Sequence, residues 1–359
     1  MDHAGDVRET PGVAGHLLSV NKDLARAIVA TFREVHRDDL YKRLALYTRD
    51  DWGRSYEWLD TSGLELYFLE RLKTLGIERA VPQEVRAGME RNFADNKVRT
   101  TKILEEFVRI NQALQREQLS YCNVKGIALA PISCPDPVLR RQLNMDFILS
   151  ASDSGRCEDI LAELGYSAHL LGKHYSEFHA KPAAQPPDTG IKTVTPPSIG
   201  VYFVLADAQG VDRAPYAMLE RRRTKTWDGH KFPAPAEPDH FIAQAIRMLG
   251  QVGTEWTRLA FLLEFRTCVH FWLHDERFWR EVIDRAQEHP LRPVAIATAT
   301  RLAAEIFGGN IPLPLQKWTV DELDAGVRRW SEVYGWDAIL TDFPDTTLGD
   351  ILQNPPRIS

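Results

Sequence analysis

No run of apolar residues in this chain approaches the roughly 20 that a membrane-spanning helix needs. The first residues, Met1-Asp2-His3-Ala4-Gly5-Asp6, are polar and acidic and lack the apolar core of a secretory signal. Cysteine is scarce. There are four, Cys122, Cys134, Cys157 and Cys268, and none forms a C-x-x-C pair. That usage excludes a disulfide framework and a thiolate zinc ribbon, and it fits a reduced compartment. The expectation is a soluble, cytoplasmic protein with no membrane partner. A basic footprint is also missing: the formal net charge is -6, so a nucleic-acid partner is not expected. The densest basic run, Arg221-Arg222-Arg223 with Lys225, reads as a solvated loop or helix face. There is no P-loop, no nucleophile elbow, no internal repeat and no low-complexity tract.

The 359 residues suffice for one large domain or a few packed subdomains. Residues 1–14, with Pro11 and Gly12, read as a disordered tail. Residues 15–118 read as a helical region: Leu17, Val20, Leu24, Ile28 and Phe32 fall at helical spacing. Asp50-Asp51-Trp52-Gly53 reads as a break. Trp58, Leu64, Tyr67, Phe68 and Leu72 mark a further helix ending at Gly76, and a long helix is expected from Pro82 to about Leu119.

At Ser120 the pattern changes, and residues 119–235 read as an α/β core. Tyr121–Val124 reads as a short strand, Lys125-Gly126 as a turn into a helical stretch over Ile127–Ile132, and Pro135-Asp136-Pro137 as a loop. Asn144–Leu149 is the informative strand. Side chains two apart share a face, so Asn144 and Asp146 project together, opposite Met145, Phe147 and Leu149. An unpaired buried carboxylate costs several kcal/mol, roughly, so Asp146 needs a cation or hydrogen bonds. A helix stopped by Gly165 follows, then a strand around Tyr175–His179, the proline-rich loop Lys181–Ser198 and a strand over Ile199–Leu205. Residues 236–335 return to helical periodicity, and 336–359 read as an irregular tail.

The string Val124-Lys125-Gly126-Ile127-Ala128-Leu129, Pro135-Asp136-Pro137, Arg140, Asn144-Met145-Asp146-Phe147-Ile148-Leu149 and Leu164-Gly165-Tyr166 resembles the uncharacterised nucleotidyltransferase family of the polymerase-β-like superfamily. The resemblance is closest over Leu119–Tyr166. It implies an α+β fold: a nucleotidyltransferase-like small mixed sheet flanked by helices, with helical N-terminal and C-terminal regions. It also implies transfer of a nucleoside monophosphate from a nucleoside triphosphate (NTP) to an acceptor whose identity stays open. Carboxylates on one strand face hold Mg²⁺ in that chemistry. Carried onto this chain, Asp146 and Asn144 become the catalytic and metal-binding pair. Lys125, Gly126 and Arg140 become the phosphate-binding set. The chain departs from the family pattern where Asn144 replaces the first aspartate. It departs again where Gly200, Val201 and Tyr202 stand in place of a third carboxylate, Asp207 lying beyond that strand. Glu177 is the best substitute. The alternative is a catalytically degenerate module that binds a nucleotide, a peptide or a partner protein. His270 and His274, four apart on a helix, have ligand spacing but no third ligand. His174 and His179 would lie on opposite strand faces.

Overall fold

The structure, a computed structural model, describes residues 21–33, 36–142, 144–180, 200–208, 213–252 and 258–340. The expected tail over 1–14, the proline-rich loop and the chain beyond 340 fall outside them.

Five helices come first: α1 (Lys22–Arg33), α2 (Arg37–Ala45), α3 (Arg49–Thr61), α4 (Glu65–Leu75) and α5 (Gln83–Arg116). Asp50-Asp51-Trp52-Gly53 starts a helix rather than breaking one. Thr48 caps α3, and the Asp51 carboxylate returns the bond to the Thr48 backbone N–H, a complete capping box. Helix α4 ends at Gly76, whose left-handed φ of 65° a glycine takes without steric cost.

The sheet comes next. Strands β1 (Tyr121–Asn123), β2 (Asn144–Ser150), β3 (Tyr166–Leu171), β4 (Tyr175–Ala180) and β5 (Gly200–Ala206) lie in the order β1-β2-β5-β4-β3. Only the β2–β5 pair is parallel, so the sheet is mixed. Helix α6 (Ser154–Glu163) separates β2 from β3, and α7 (Ala214–Glu220) comes after β5. Met145, Phe147 and Leu149 point to one face with Val201, Phe203 and Phe178, where α5 and α6 cover them. The other face is split. Ile148, Cys122 and Ala206 pack under Leu219 of α7. The opposite end, which carries Asn144 and Asp146, lies clear of that cluster.

A hairpin, β6 (Arg223–Trp227) and β7 (His230–Ala234), turns at Asp228-Gly229, both with positive φ. That dipeptide suits the twist of a two-residue turn. Phe232 of β7 enters the sheet's core edge-on to Phe107, 4.9 Å between centroids.

The described residues end in helices: α8 (Glu237–Val252), α9 (Leu259–Phe271), α10 (Glu276–Ala286), α11 (Leu291–Phe307), the single turn α12 (Leu313–Leu315) and α13 (Ala325–Leu340). Helices from both ends of the chain share one core: Leu24, Ile28, Trp52 and Phe68 pack in the same cluster as Phe241, Phe265, Trp279 and Trp330. No described helix is long and apolar enough to cross a membrane.

Candidate functional site

Strand β2 places Asn144 and Asp146 on one face, both partly exposed, between buried Met145 and Phe147. The antiparallel register with β1 brings Val124 opposite Asp146, and the Val124 N–H donates to the Asp146 carbonyl at 3.0 Å. The next residue, Lys125, then reaches back, and its Nζ lies 2.8 Å from Asp146 Oδ1. The pair is half open to solvent: the Lys125 side chain is 44% exposed and that of Asp146 15%. Asp146 therefore has its cation, and exchange with a diffusing ligand needs no unfolding.

Three contacts fix the Lys125-Gly126 turn. The Val124 carbonyl accepts from Nε2 of His240 on α8 at 2.9 Å. Because a carbonyl only accepts, that nitrogen carries the proton. His240 is buried, and burial first, with Lys225 second, pushes its pKa down to about 4, so the imidazole is neutral. Gly126 has φ 57°, and a Cβ there would collide with the Gln142 side chain. Gln142 in turn donates to the Asn144 carbonyl at 2.8 Å. The glycine thus admits the amide that anchors the start of β2. Gly126 opens a four-residue 3-10 turn, Gly126–Leu129, rather than the expected helix over Ile127–Ile132. A helix dipole aimed at phosphate is correspondingly weak here.

Arg140 sits apart from the open pair. Its guanidinium is buried, donates to Glu264 of α9 and lies 4.8 Å from the Phe261 ring. An arginine committed to an internal carboxylate is not the free phosphate counter-charge expected from the sequence. Its neighbour Arg141 is taken as well, by Asp60 and by Glu65 at 2.5 Å. The cation that fits the phosphate role better is Arg247 of α8, which nothing local in the sequence singles out. Its guanidinium stacks 3.8 Å from the Phe261 ring centroid. Among the described residues Arg247 makes no ion pair. Burial, then the charge of Arg140, lowers its pKa to about 10, while Asp146 and Glu264 pull it back up. Arg258 stands 5.9 Å from the same ring, so three guanidiniums crowd Phe261. Arg140 is compensated by Glu264, which leaves Arg247 as a cation that feels the charge of Asp146.

The sheet extends the polar face sideways. Parallel pairing sets Tyr202 beside Asp146, and antiparallel pairing sets Glu177 beside Tyr202. Asp146, Tyr202 and Glu177 form one cross-strand row. Asn144, Gly200 and His179 form the next. Tyr202 leans over Gly200, where a Cβ would come within 2.5 Å of its ring. Glu177 stands two strand spacings from Asp146, roughly 9.5 Å between backbones. It accepts from His179 at 2.5 Å. Burial alone would raise its pKa, but hydrogen bonds from His179 and Tyr202 outweigh burial and hold it below the ordinary value. The substitute third carboxylate is therefore on the right face, with Tyr202 between it and Asp146. Asp207 lies past the far end of β5, and exposed His270 lies in the last turn of α9.

The Arg221–Lys225 run also departs from expectation. Arg221 pairs with Asp239 and Glu288, and Lys225 bonds Glu237 and the Ala128 carbonyl. These cations fasten the C-terminal helices to the hairpin and sheet.

A family of uncharacterised nucleotidyltransferases matches residues 48–308, well over half of the chain. The chain belongs to the uncharacterised nucleotidyltransferase family. The match starts at the cap of α3 and ends at Gly308, just past α11, so this nucleotidyltransferase fold takes in helices on both sides of the sheet. A crystal structure of an antigenic nucleotidyltransferase-like protein from Paracoccidioides brasiliensis is similar at 12% identity, with a TM-score of 0.34. The similarity covers 53% of this chain and 89% of that one. A search of curated proteins finds no significant relative.

Proposed function

We propose that this member of the nucleotidyltransferase family binds an NTP with Mg²⁺ at the Asn144–Asp146 end of the sheet and transfers its nucleoside monophosphate to an acceptor. The observation that carries the reading is one partly exposed carboxylate, Asp146, paired with Lys125 and within electrostatic reach of a second, different cation, Arg247. Lys125 is exposed enough to change partners, and Arg247 is held by Phe261 with no carboxylate of its own among the described residues.

The donor set fits one magnesium ion. Asp146 offers a carboxylate and Asn144 an amide oxygen, both acceptable to a hard cation that keeps several waters and takes the rest of its ligands from phosphate. It does not fit two, because Tyr202 stands between Asp146 and the next carboxylate. When bound, the ion neutralises phosphate charge and draws electrons from the phosphorus under attack. The chain's own residues do the rest. Asp146 and Asn144 would hold the ion, and Lys125, released from Asp146, would offer its ammonium to a phosphate oxygen. Arg247 offers planar N–H donors to the polyphosphate. His240 and Gln142 keep the Lys125 turn in place. In the reaction an acceptor oxygen bonds to the α-phosphorus, the α–β bridge breaks, pyrophosphate leaves with the bridge electrons, and the acceptor's proton passes to solvent.

Titration calorimetry with each of four NTPs and Mg²⁺ tests this. Binding of at least one NTP is expected, abolished in Asp146→Ala. In Arg247→Gln the triphosphate should weaken by about tenfold or more, as loss of a charge-assisted contact predicts, with the monophosphate changed little. Pyrophosphate release on offering candidate acceptors reads the transfer itself. Absence of heat with every NTP would sink the proposal. Binding that survives both EDTA and Asp146→Ala would favour the degenerate module.

A further inference from the structure

A second cluster lies on the same face of the sheet, two strands from Asp146. His169 on β3 and Glu177 and His179 on β4 bring one ligand atom each within 4.8 Å of one another. It is the group of at least three such side chains that meets this spacing among the described residues. Glu177 and His179 are two apart on β4 and so share a face. His169 lies on the neighbouring strand, two residues from Ser167, the partner of His179, and so on the same face. Strands β3 and β4 pair regularly as Tyr166 with Ala180, Ser167 with His179 and Ala168 with Phe178. The register then slips, and Leu170 rather than His169 faces Glu177. A bulge of this kind inserts an unpaired residue. The extra residue is His169, and its ring lies 4.9 Å from that of His179.

We infer that His169, Glu177 and His179 form a binding site for a divalent transition-metal ion of the zinc class, separate from the nucleotide site. Two imidazole nitrogens and one carboxylate oxygen are the donors such an ion prefers, whereas magnesium demands oxygen alone. The spacing is close to what the ion needs. Zinc ligands stand about 2.0–2.2 Å from the metal, hence somewhat over 3 Å from one another, so movements of about 1 Å complete the set. The Glu177 and His179 ligand atoms, 2.5 Å apart, would open by somewhat under about 1 Å to admit the ion. A neighbour for the carboxylate is present too: Tyr202 stands across the strand pair from Glu177. The protein supplies three ligands, which leaves a fourth position for water or a further group on the solvent side, where His169 is exposed. Bound there, the ion would clamp the edge strand β3 to β4 across the bulge.

Magnesium at Asp146 and zinc at this cluster are distinguishable, so neither reading depends on the other. The full chain, stripped with EDTA, is titrated with Co²⁺ as a visible probe and then with Zn²⁺. One Co²⁺ per chain is expected, with the weak visible bands of nitrogen and oxygen ligands, displaced by Zn²⁺ and indifferent to excess Mg²⁺. Asp146→Ala should leave it unchanged. His169→Gln changes an exposed residue, so circular dichroism should match the parent. Its Co²⁺ affinity should fall by more than the roughly tenfold to hundredfold that loss of an outer partner costs. His179→Gln and Glu177→Gln should do the same. No bound metal, an affinity unchanged in the His169→Gln, His179→Gln double variant, or a thiolate charge-transfer band assigning the ion to cysteine would each overturn the inference.

Discussion

Glu264→Gln is the sharpest test of how the interior is held. Glu264 is 2% exposed, accepts from Tyr67 at 2.8 Å and takes the buried Arg140 guanidinium on its other oxygen. Burial first, then the Glu264 charge, pushes the Tyr67 pKa well above its ordinary value, so the phenol stays a neutral donor. Glutamine keeps the shape and can still accept from Tyr67. What it removes is the charge opposite Arg140, which is itself only 8% exposed. Stripping one partner from a buried ion pair costs about 3–5 kcal/mol, because the remaining charge is left without solvent or counter-ion. Against a total stability of about 5–15 kcal/mol, that is a large share. Urea unfolding followed by circular dichroism should show the midpoint fall sharply. Arg140→Met should cost a comparable amount. The double variant should cost less than the two together, by at least about 1 kcal/mol, since each single change orphans the other group. Strict additivity, or either single variant within about 0.5 kcal/mol of the parent, would refute the reasoning. NTP affinity of folded Arg140→Met should stay close to the parent's, unlike that of Arg247→Gln.

The Lys125 turn yields two further predictions. His240 has a folded pKa of about 4 against an ordinary 6.5, so the unfolded chain binds its proton first as pH falls. Its contribution is intact above pH 6.5 and drains away down to about pH 4, by roughly 3 kcal/mol in all. Urea midpoints across that range should slope less in His240→Gln; an unchanged slope contradicts the assignment. Gly126→Ala places a Cβ in the left-handed region and against the Gln142 side chain, so it should destabilise by about 1 kcal/mol or more. Adding Gln142→Ala should recover the steric part but not the backbone part, which a thermal melt of the two variants can separate.

Much of the architecture is local, and local pattern found it. The alternation in Asn144–Leu149 placed two polar residues opposite three apolar ones, and β2 carries them so. Gly76 and Pro82 bounded helices where their backbone preferences require. Two equally local signals were passed over. Asp51 three residues after Thr48 is a capping box, and Asp228-Gly229 between alternating residues is a hairpin turn. Both rest on short-range hydrogen bonding and φ preference, which the residues at hand state outright.

The site divides along the same line. Asn144, Asp146, Lys125 and Gly126 lie within about twenty residues of one another, and one antiparallel register suffices to gather them. Arg140 failed as a free cation because its partner, Glu264, lies over a hundred residues away, and burial is not written in the neighbours of an arginine. His240 reaches the turn only because α8 docks against it, and Arg247 of the same helix meets Phe261 only because α8 packs beside α9. His169 meets Glu177 and His179 only because β3 pairs with β4 in this register. The sequence by itself determined which side chains share a strand face and where helices begin and stop, since those depend on backbone geometry over a few residues. Which charges are paired, which are left free, and which histidines meet were decided by the tertiary structure, because packing of distant apolar faces sets those distances.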